Sequence, residues 1–481
     1  MGRSDRHWQR GKGLLACAAI FAVVGLTPAV VNASEKVDVI DAGDVDDPFD
    51  AIFDIGYRRS LRRAKITREF NCAHGLDIAA HANTCPAAPR QGVLLHVKEL
   101  RYQRTTHEVV PRARFGLWHD LELSIEAPVV LSDTQDVRFA GNGGDPLSTT
   151  ITPAESSIAP ENQENLFEVE ESDLPTRGGF GDMLFKIRYA PLCQERDDQR
   201  ATWAMELGYR APTGKPMRYL NEQVGRGVHE LIVGTSLGRR FAFADPYVHF
   251  EGVLPIPAEN SLFQNYGNGQ QFIGPGPRVS FAFGSEFVPF EDPQAGSKFF
   301  IDLGFGGTFQ AKGRDYSELF DSLASAQGTC DPTANDPSNP ATDRHGRHNC
   351  AVYNPDGRED RANQPHDGIT TVEEFLTFRA HLGMGAYMTE NAKFTAGVSI
   401  AHDTEHYLSS ADVGRDVDGS GLVECGPSCD FSSVPDENGV GGYRVEEHNP
   451  TYVPSIDAQG RRIRIEETTI FQVAVGLSML F

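Results

Sequence analysis

The sequence predicts an all-β protein: a transmembrane antiparallel up-and-down β-barrel of about twelve strands, with long extracellular loops and short periplasmic turns. Three observations predict it. Apolar residues fall on alternate positions in one segment after another. The connectors between those segments alternate strictly between short and long. The chain also stops, in "TTIFQVAVGLSMLF", within its most regular apolar pattern. Alternation of this kind is the period of a strand with one apolar and one polar face.

The N-terminal stretch supplies a compartment. Arg3, Arg6, Arg10 and Lys12 precede the apolar run "LLACAAIFAVVGL", and small residues lead up to Ala33. This is the layout of a secretory signal peptide over 1–33. An acidic periplasmic segment, 34–48, is expected to follow, and 49–481 to form the barrel. An uncleaved anchor and a lipoprotein signal at Cys17 are the rivals, but the run is short for a span of roughly 20 residues and most of it follows Cys17. Without residues 1–33 the chain carries 40 basic against 66 acidic residues, a net charge near −26. Such a balance argues against nucleic acid as a partner.

The strands follow in order. Candidates at 49–67, 95–115 and 119–132 lead to clear alternation at Met183, Phe185, Ile187 and Tyr189, then at Trp203, Met205, Leu207 and Tyr209. Segments 226–238 and 242–256 are less regular. Val279, Phe281 and Phe283 mark the next strand, followed by Phe299, Ile301, Leu303 and Phe305. Leu376, Phe378, Ala380, Leu382 and Met384 mark another, then Phe394, Ala396, Val398 and Ile400, and finally 462–481. The links near 116–119, 192–200, 239–241, 289–296 and 389–392 are short. Those at 68–94, 133–178, 257–273, 313–370 and 405–461 are long, and 214–225 is intermediate. Up-and-down strands send alternate connectors to opposite ends, and outer-membrane barrels keep the short ones on the periplasmic side. Because lipid cannot satisfy backbone polar groups, the last strand must pair with the first.

Seven cysteines remain after residue 33, and six fall in pairs within single long loops: Cys72 with Cys85, Cys330 with Cys350, and Cys425 with Cys429. An oxidising compartment permits disulfides there. Proximity suggests these pairings among the fifteen possible, with Cys193 outside them. A metal site at Cys425 and Cys429 is the rival reading.

The final strand resembles the terminal signature of outer-membrane barrels. That resemblance implies that Phe471, Val473, Val475, Leu477, Met479 and Phe481 form the segment read by the barrel-assembly machinery. Longer stretches, "FGLWHDLELSIEAPVV", "RGGFGDMLFKIRYAPL", "ELGYRAPTGK" and "VGRGVHELIVGTSLGRRFAFADPYVHFEG", are similar in order and spacing to the outer-membrane barrel family associated with the meta-cleavage pathway of phenol degradation. The resemblance covers roughly 115–310 and the final strands. It implies passage or handling of small molecules.

Two motifs invite sharper readings. "GTSLG" at Gly234–Gly238 matches a nucleophile elbow, which needs a strand-to-helix turn, but it lies in a strand-like stretch. The sequence offers His402 and Asp403 as partners for Ser236, with no motif bringing them together. No enzyme is expected. "DVDGSGLVE" resembles half of a calcium loop at Asp416, Asp418 and Ser420, yet the twelfth position is Pro427 instead of a bidentate Glu. A turn-forming acidic loop is the plain reading; calcium is the minority one, and no other cofactor is expected.

The lumen is where a solute would pass. Asp182, Lys186, Arg188, Glu206, Arg210, Asp302, Arg379 and His381 lie opposite the apolar faces and are expected to line it. They suit either a water-filled route or a lumen closed by charge pairing, and a long loop or segment 34–48 is placed to plug it. The expected function is a passive or gated channel in the cell outer membrane, in contact with its lipid, for small solutes that include aromatic or hydrophobic ones. The alternatives are a structural or surface-binding barrel acting through its long loops and, last, a barrel-embedded hydrolase.

Overall fold

A computed structural model describes residues 37–40, 50–71, 94–139, 174–323, 368–423 and 449–481, apart from short stretches within these ranges (195, 198, 219–220, 260, 266–268, 293, 390, 417–420, 422, 450, 453 and 461). The segment 1–33, Asp418, Ser420 and the six cysteines expected to pair lie outside the described residues.

Twelve strands form one closed antiparallel barrel. They are β1 (Ala51–Asn71), β2 (Leu94–Trp118), β3 (Leu121–Glu126 with Val129–Phe139), β4 (Arg177–Phe180 with Leu184–Leu192), β5 (Thr202–Arg210) and β6 (Val228–Gly238). They continue as β7 (Ala244–Pro257), β8 (Arg278–Asp292), β9 (Ser297–Gln310), β10 (Phe375–Thr389), β11 (Ala392–Asp403) and β12 (Ile463–Leu480). Each pairs with its sequence neighbours, and β12 returns to β1 with Tyr57 opposite Val475 and Gly56 opposite Gly476. Ala51 and Phe481 exchange backbone hydrogen bonds of 3.1 and 2.9 Å, which fastens the seam at its lower end. The expected strand number and closure are therefore observed. Strand ends moved by up to seven residues, most at β3, which runs on to Phe139.

β3 and β4 share a break. Pro128 lacks an N–H, so β3 loses its ladder there, and Gly181 of β4 donates to the Pro128 carbonyl at 2.8 Å. A Cβ at Gly181 would lie 3.1 Å from the proline ring, so glycine permits the approach. Strand connectors alternate as expected, and both strand termini lie at the short-turn end. Asp120, in the two-residue turn between β2 and β3, adopts φ 51°, a left-handed conformation that suits such a tight turn.

The outer face is apolar all the way round. Leu207, Val233, Phe250, Val279, Phe305, Phe378, Ile400 and Phe471 are all exposed, a belt that fits hydrocarbon and not water. Among the described residues no helix is long and apolar enough to cross a membrane; the strands make the span.

Two inserts fold into the barrel. At the long-loop end, Leu319 and Leu323 pack with Leu408, Ile456, Ile463 and Ile465, and with Ile66, Leu100 and Tyr102 of β1 and β2. The same short helix, Phe320–Leu323, turns Phe320 onto Val228, Phe263 and Ile369. One turn of chain thus bridges opposite sides of the mouth. At the short-turn end, Val37 is fully buried, and Val39 packs on Ala190 of β4 and Ala204 of β5.

Candidate functional site

The inner wall comes in two kinds. From β2 to β8 it is filled by charge pairs. Arg114 grips Glu122 with two hydrogen bonds, 3.0 and 2.7 Å. Arg188 lies 3.9 Å from both Glu122 and Glu206, linking β3 to β5. Lys186 reaches Glu206 at 3.2 Å and Glu251 at 3.5 Å. Higher up, Glu230 accepts from Arg210, Arg226 and Arg278 at 2.9, 3.2 and 2.7 Å. These residues converge because each strand turns alternate positions inward and neighbouring registers set opposite charges side by side: Glu122 faces Arg188, and Arg188 faces Glu206.

From β9 to β12 the inner wall is made of small residues. One cross-strand row reads Gly383, Gly397, Ala474. A Cβ added at Gly383 or Gly397 would meet nothing nearer than 3.5 or 3.4 Å, so either position would take a methyl group at ordinary contact distance. Gly476, one row lower, is different: a Cβ there would come within 2.8 Å of the Thr395 hydroxyl. Above the row lie Ser399 and Gln472, joined at 3.4 Å. Arg379 is on the same face; among the described residues it makes no hydrogen bond or ion pair, and its charged neighbours are Arg58 and Asp403.

Between the two walls stands a polar triad. Tyr247 donates its hydroxyl to Asp302 at 2.9 Å, His381 Nε2 lies 2.8 Å from the other carboxylate oxygen, and the tyrosine and histidine are 3.2 Å apart. Gly284 and Gly304 make this possible, since a Cβ at either would overlap the Tyr247 hydroxyl or the His381 ring.

The closures are tied to the charged wall. Arg188 donates to the Asp38 carbonyl at 2.7 Å, and the Ile40 amide donates to Glu122 at 3.2 Å. A Cβ at Gly238 would overlap Val37, so that glycine makes the seat for the segment. Above, Asp321 of the short helix pairs at 2.6 Å with Arg177, whose side chain is wholly buried. Arg226 binds Asp315 at 2.7 Å, and Arg62 binds Glu318 at 2.7 Å. Charge attraction to Asp315 raises the Arg226 pKa above its ordinary value. Beneath this insert a cavity of about 140 Å³ lies between Arg62, Gln310, Glu318 and His406. Glu69 at the end of β1 holds the last loop through Tyr407 at 2.7 Å and Arg462 at 2.7 and 2.9 Å.

Of the residues expected to line the lumen, Lys186, Arg188, Glu206 and Arg210 lie in the charged wall, Asp302 and His381 in the triad, and Arg379 beside the small-residue strip. Asp182 sits elsewhere. It occupies the break in β4 and accepts the backbone amides of Gly214 and Arg226 at 3.0 and 3.1 Å, fastening the β5–β6 loop. Tyr247, Glu230 and Arg114 were not anticipated, because β2, β6 and β7 carry weak apolar alternation and their inward polar residues were not separated from those of loops. Ser236 lies mid-strand and contacts His249 Nδ1 at 2.8 Å, while Asp403 engages Arg62 and Thr377. Its backbone is used in the ladders to β5 and β7, so no elbow forms. Asp416 accepts the Gly421 amide at 2.8 Å, a turn within the acidic loop.

No family model and no curated protein matches the chain. Among solved structures, it aligns with the COG4313 outer membrane channel from Pseudomonas putida F1 at 8% identity and TM-score 0.39, covering 89% of this chain and 95% of that one. A Pseudomonas aeruginosa FadL homologue aligns at 7% identity and TM-score 0.27 over 90% of each chain. The outer membrane protease OmpT from Escherichia coli aligns at 8% and 0.26, over 90% and 96%. Likeness this distant carries no functional argument, and the barrel assignment stands on the strand pairing itself.

Proposed function

We propose that this protein is an outer-membrane conduit for small solutes, closed at rest by its two inserts and opened by their displacement. The observation that carries the reading is the row of small residues Gly383, Gly397 and Ala474, which fills little of the lumen beside a wall otherwise occupied by paired charge. A purely structural barrel has no need of a strip without side chains; packing that space would stabilise it. The short-turn end is taken as periplasmic, following the loop asymmetry of outer-membrane barrels. The sequence resemblance to barrels of a phenol-degradation pathway supports small aromatic compounds as test solutes.

Liposome swelling tests the reading. Barrels lacking Val37–Ile40 should pass sugars and aromatic acids several-fold faster than the intact chain, with rates that fall as solute size rises. Equal, solute-independent rates for both would favour the structural or surface-binding reading, in which the long loops carry the function.

A further inference from the structure

On the charged wall, Glu206 of β5 and Glu251 of β7 both lie opposite Gly234 of the intervening β6. A Cβ at Gly234 would stand 2.6 Å from Glu206 Cγ, so the glycine provides a floor over which the two carboxylates converge. His249, two residues before Glu251, points to the same face. One donor atom from each of Glu206, His249 and Glu251 lies within 4.8 Å of the other two. The Ser236 hydroxyl contacts His249 Nδ1 at 2.8 Å, which orients the ring and directs Nε2 to ligation.

We propose that Glu206, His249 and Glu251 form a lumenal site for a divalent transition-metal ion, with Lys186 as the resident cation that the metal displaces. One imidazole and two carboxylates suit zinc-class ions better than calcium, which takes six to eight oxygen ligands. The Lys186 ammonium now serves both carboxylates, at 3.2 and 3.5 Å. Its stem is flexible and only its charge is needed there, so a dication takes its place while the ammonium swings into the lumen. Affinity is set by that competition: removing the lysine charge strengthens metal binding, and removing the imidazole weakens it. Nothing in this proposal depends on whether the lumen conducts.

Calorimetric titration of Zn²⁺ into the folded, detergent-solubilised full chain tests it, with heat-modifiable gel migration confirming that every variant is folded. The expected result is a Zn²⁺ equivalent whose affinity falls at least tenfold in His249→Ala and rises about tenfold in Lys186→Met, with a hundredfold excess of Ca²⁺ failing to displace it. Identical Zn²⁺ binding by all three proteins, or Ca²⁺ displacing the Zn²⁺, would overturn the proposal. So would absence of this equivalent from both the wild type and Lys186→Met.

Discussion

On their outer faces β2–β7 and β9–β12 are alike, with Leu207 and Phe250 on one side of the barrel and Phe378 and Phe471 on the other all exposed to the same apolar surroundings. On their inner faces they differ. The first wall fills its space with Arg114, Glu122, Arg188, Glu206 and Lys186 in mutual contact, whereas the second presents the small residues Gly383, Gly397 and Ala474. Lipid imposes one chemistry on every outward position. No such rule binds the inward positions, so they carry the specialisation: one wall braces the barrel and anchors the inserts, and the other leaves room.

The sharpest way to break this comparison is to remove one charge from the bracing wall. Glu122 is almost fully buried and neutralises Arg114 while facing Arg188 and the Ile40 amide. Glu122→Ala leaves buried cationic charge uncompensated, at a cost of about 3–5 kcal/mol. Urea unfolding followed by tryptophan fluorescence should show it, together with release of the N-terminal insert. An unfolding midpoint equal to wild type would mean that the charge network does not brace the barrel.

A charge on the outer face is the next largest perturbation. Val475→Arg places a cation in hydrocarbon near mid-span, at a cost of about 2–4 kcal/mol. The yield of heat-modifiable barrel in outer-membrane fractions should drop. Gly397→Ser, on the small-residue inner strip, should leave that yield unchanged, and equal effects of the two would erase the distinction between the faces.

The cap at the long-loop end gives a smaller, pH-dependent effect. His406 lies in the loop after β11, stacked on Phe375 with its Nδ1 2.8 Å from the Thr404 carbonyl. Burial lowers its pKa below the ordinary value of 6.5. The folded cap therefore holds the neutral ring while the unfolded chain takes up a proton, so stability is full above about pH 6.5 and falls as pH drops towards the depressed value. Proteolysis of the loop after β11 should quicken at pH 5 relative to pH 7.5, and His406→Phe should flatten that difference.

Arg379 should show the smallest change in stability and the clearest change in selectivity. Without an ion pair to lose, Arg379→Ala should alter stability by less than about 0.5 kcal/mol. Reversal potentials in a planar bilayer should move towards cation preference, since a guanidinium with no ion pair among the described residues is removed.

Much of the outer architecture was legible in the sequence because lipid writes it there: alternation at Met183–Tyr189, Trp203–Tyr209 and Leu376–Met384 gave strands whose apolar residues do face outward. The inner architecture was less so. Cross-strand partners depend on register between strands, which no single strand reveals. Hence Glu206 and Arg188 were each named from their own strand without their pairing, and Glu230 as the meeting point of three arginines was not foreseen. Asp182 had the right parity for the lumen, yet the break at Gly181 turned it to the backbone of the neighbouring loop. A long loop and segment 34–48 were expected as candidate plugs, but the residues that seat them were not legible. "VDVI" at 37–40 is too short to announce itself, and its seat at Gly238 exists only after β6 and β7 have paired.

The small-residue strip is the centre of this account, and solute flux through a filled strip tests it most directly. Gly397→Phe and Gly383→Phe, each combined with deletion of Val37–Ile40, should assemble normally, because a Cβ at either position meets only ordinary contacts and the rest of the side chain projects into the lumen. Liposome swelling with a small sugar should then fall several-fold below that of the deletion alone. Correctly folded variants that pass the sugar as fast as the deletion would contradict the account, for the route would then run elsewhere.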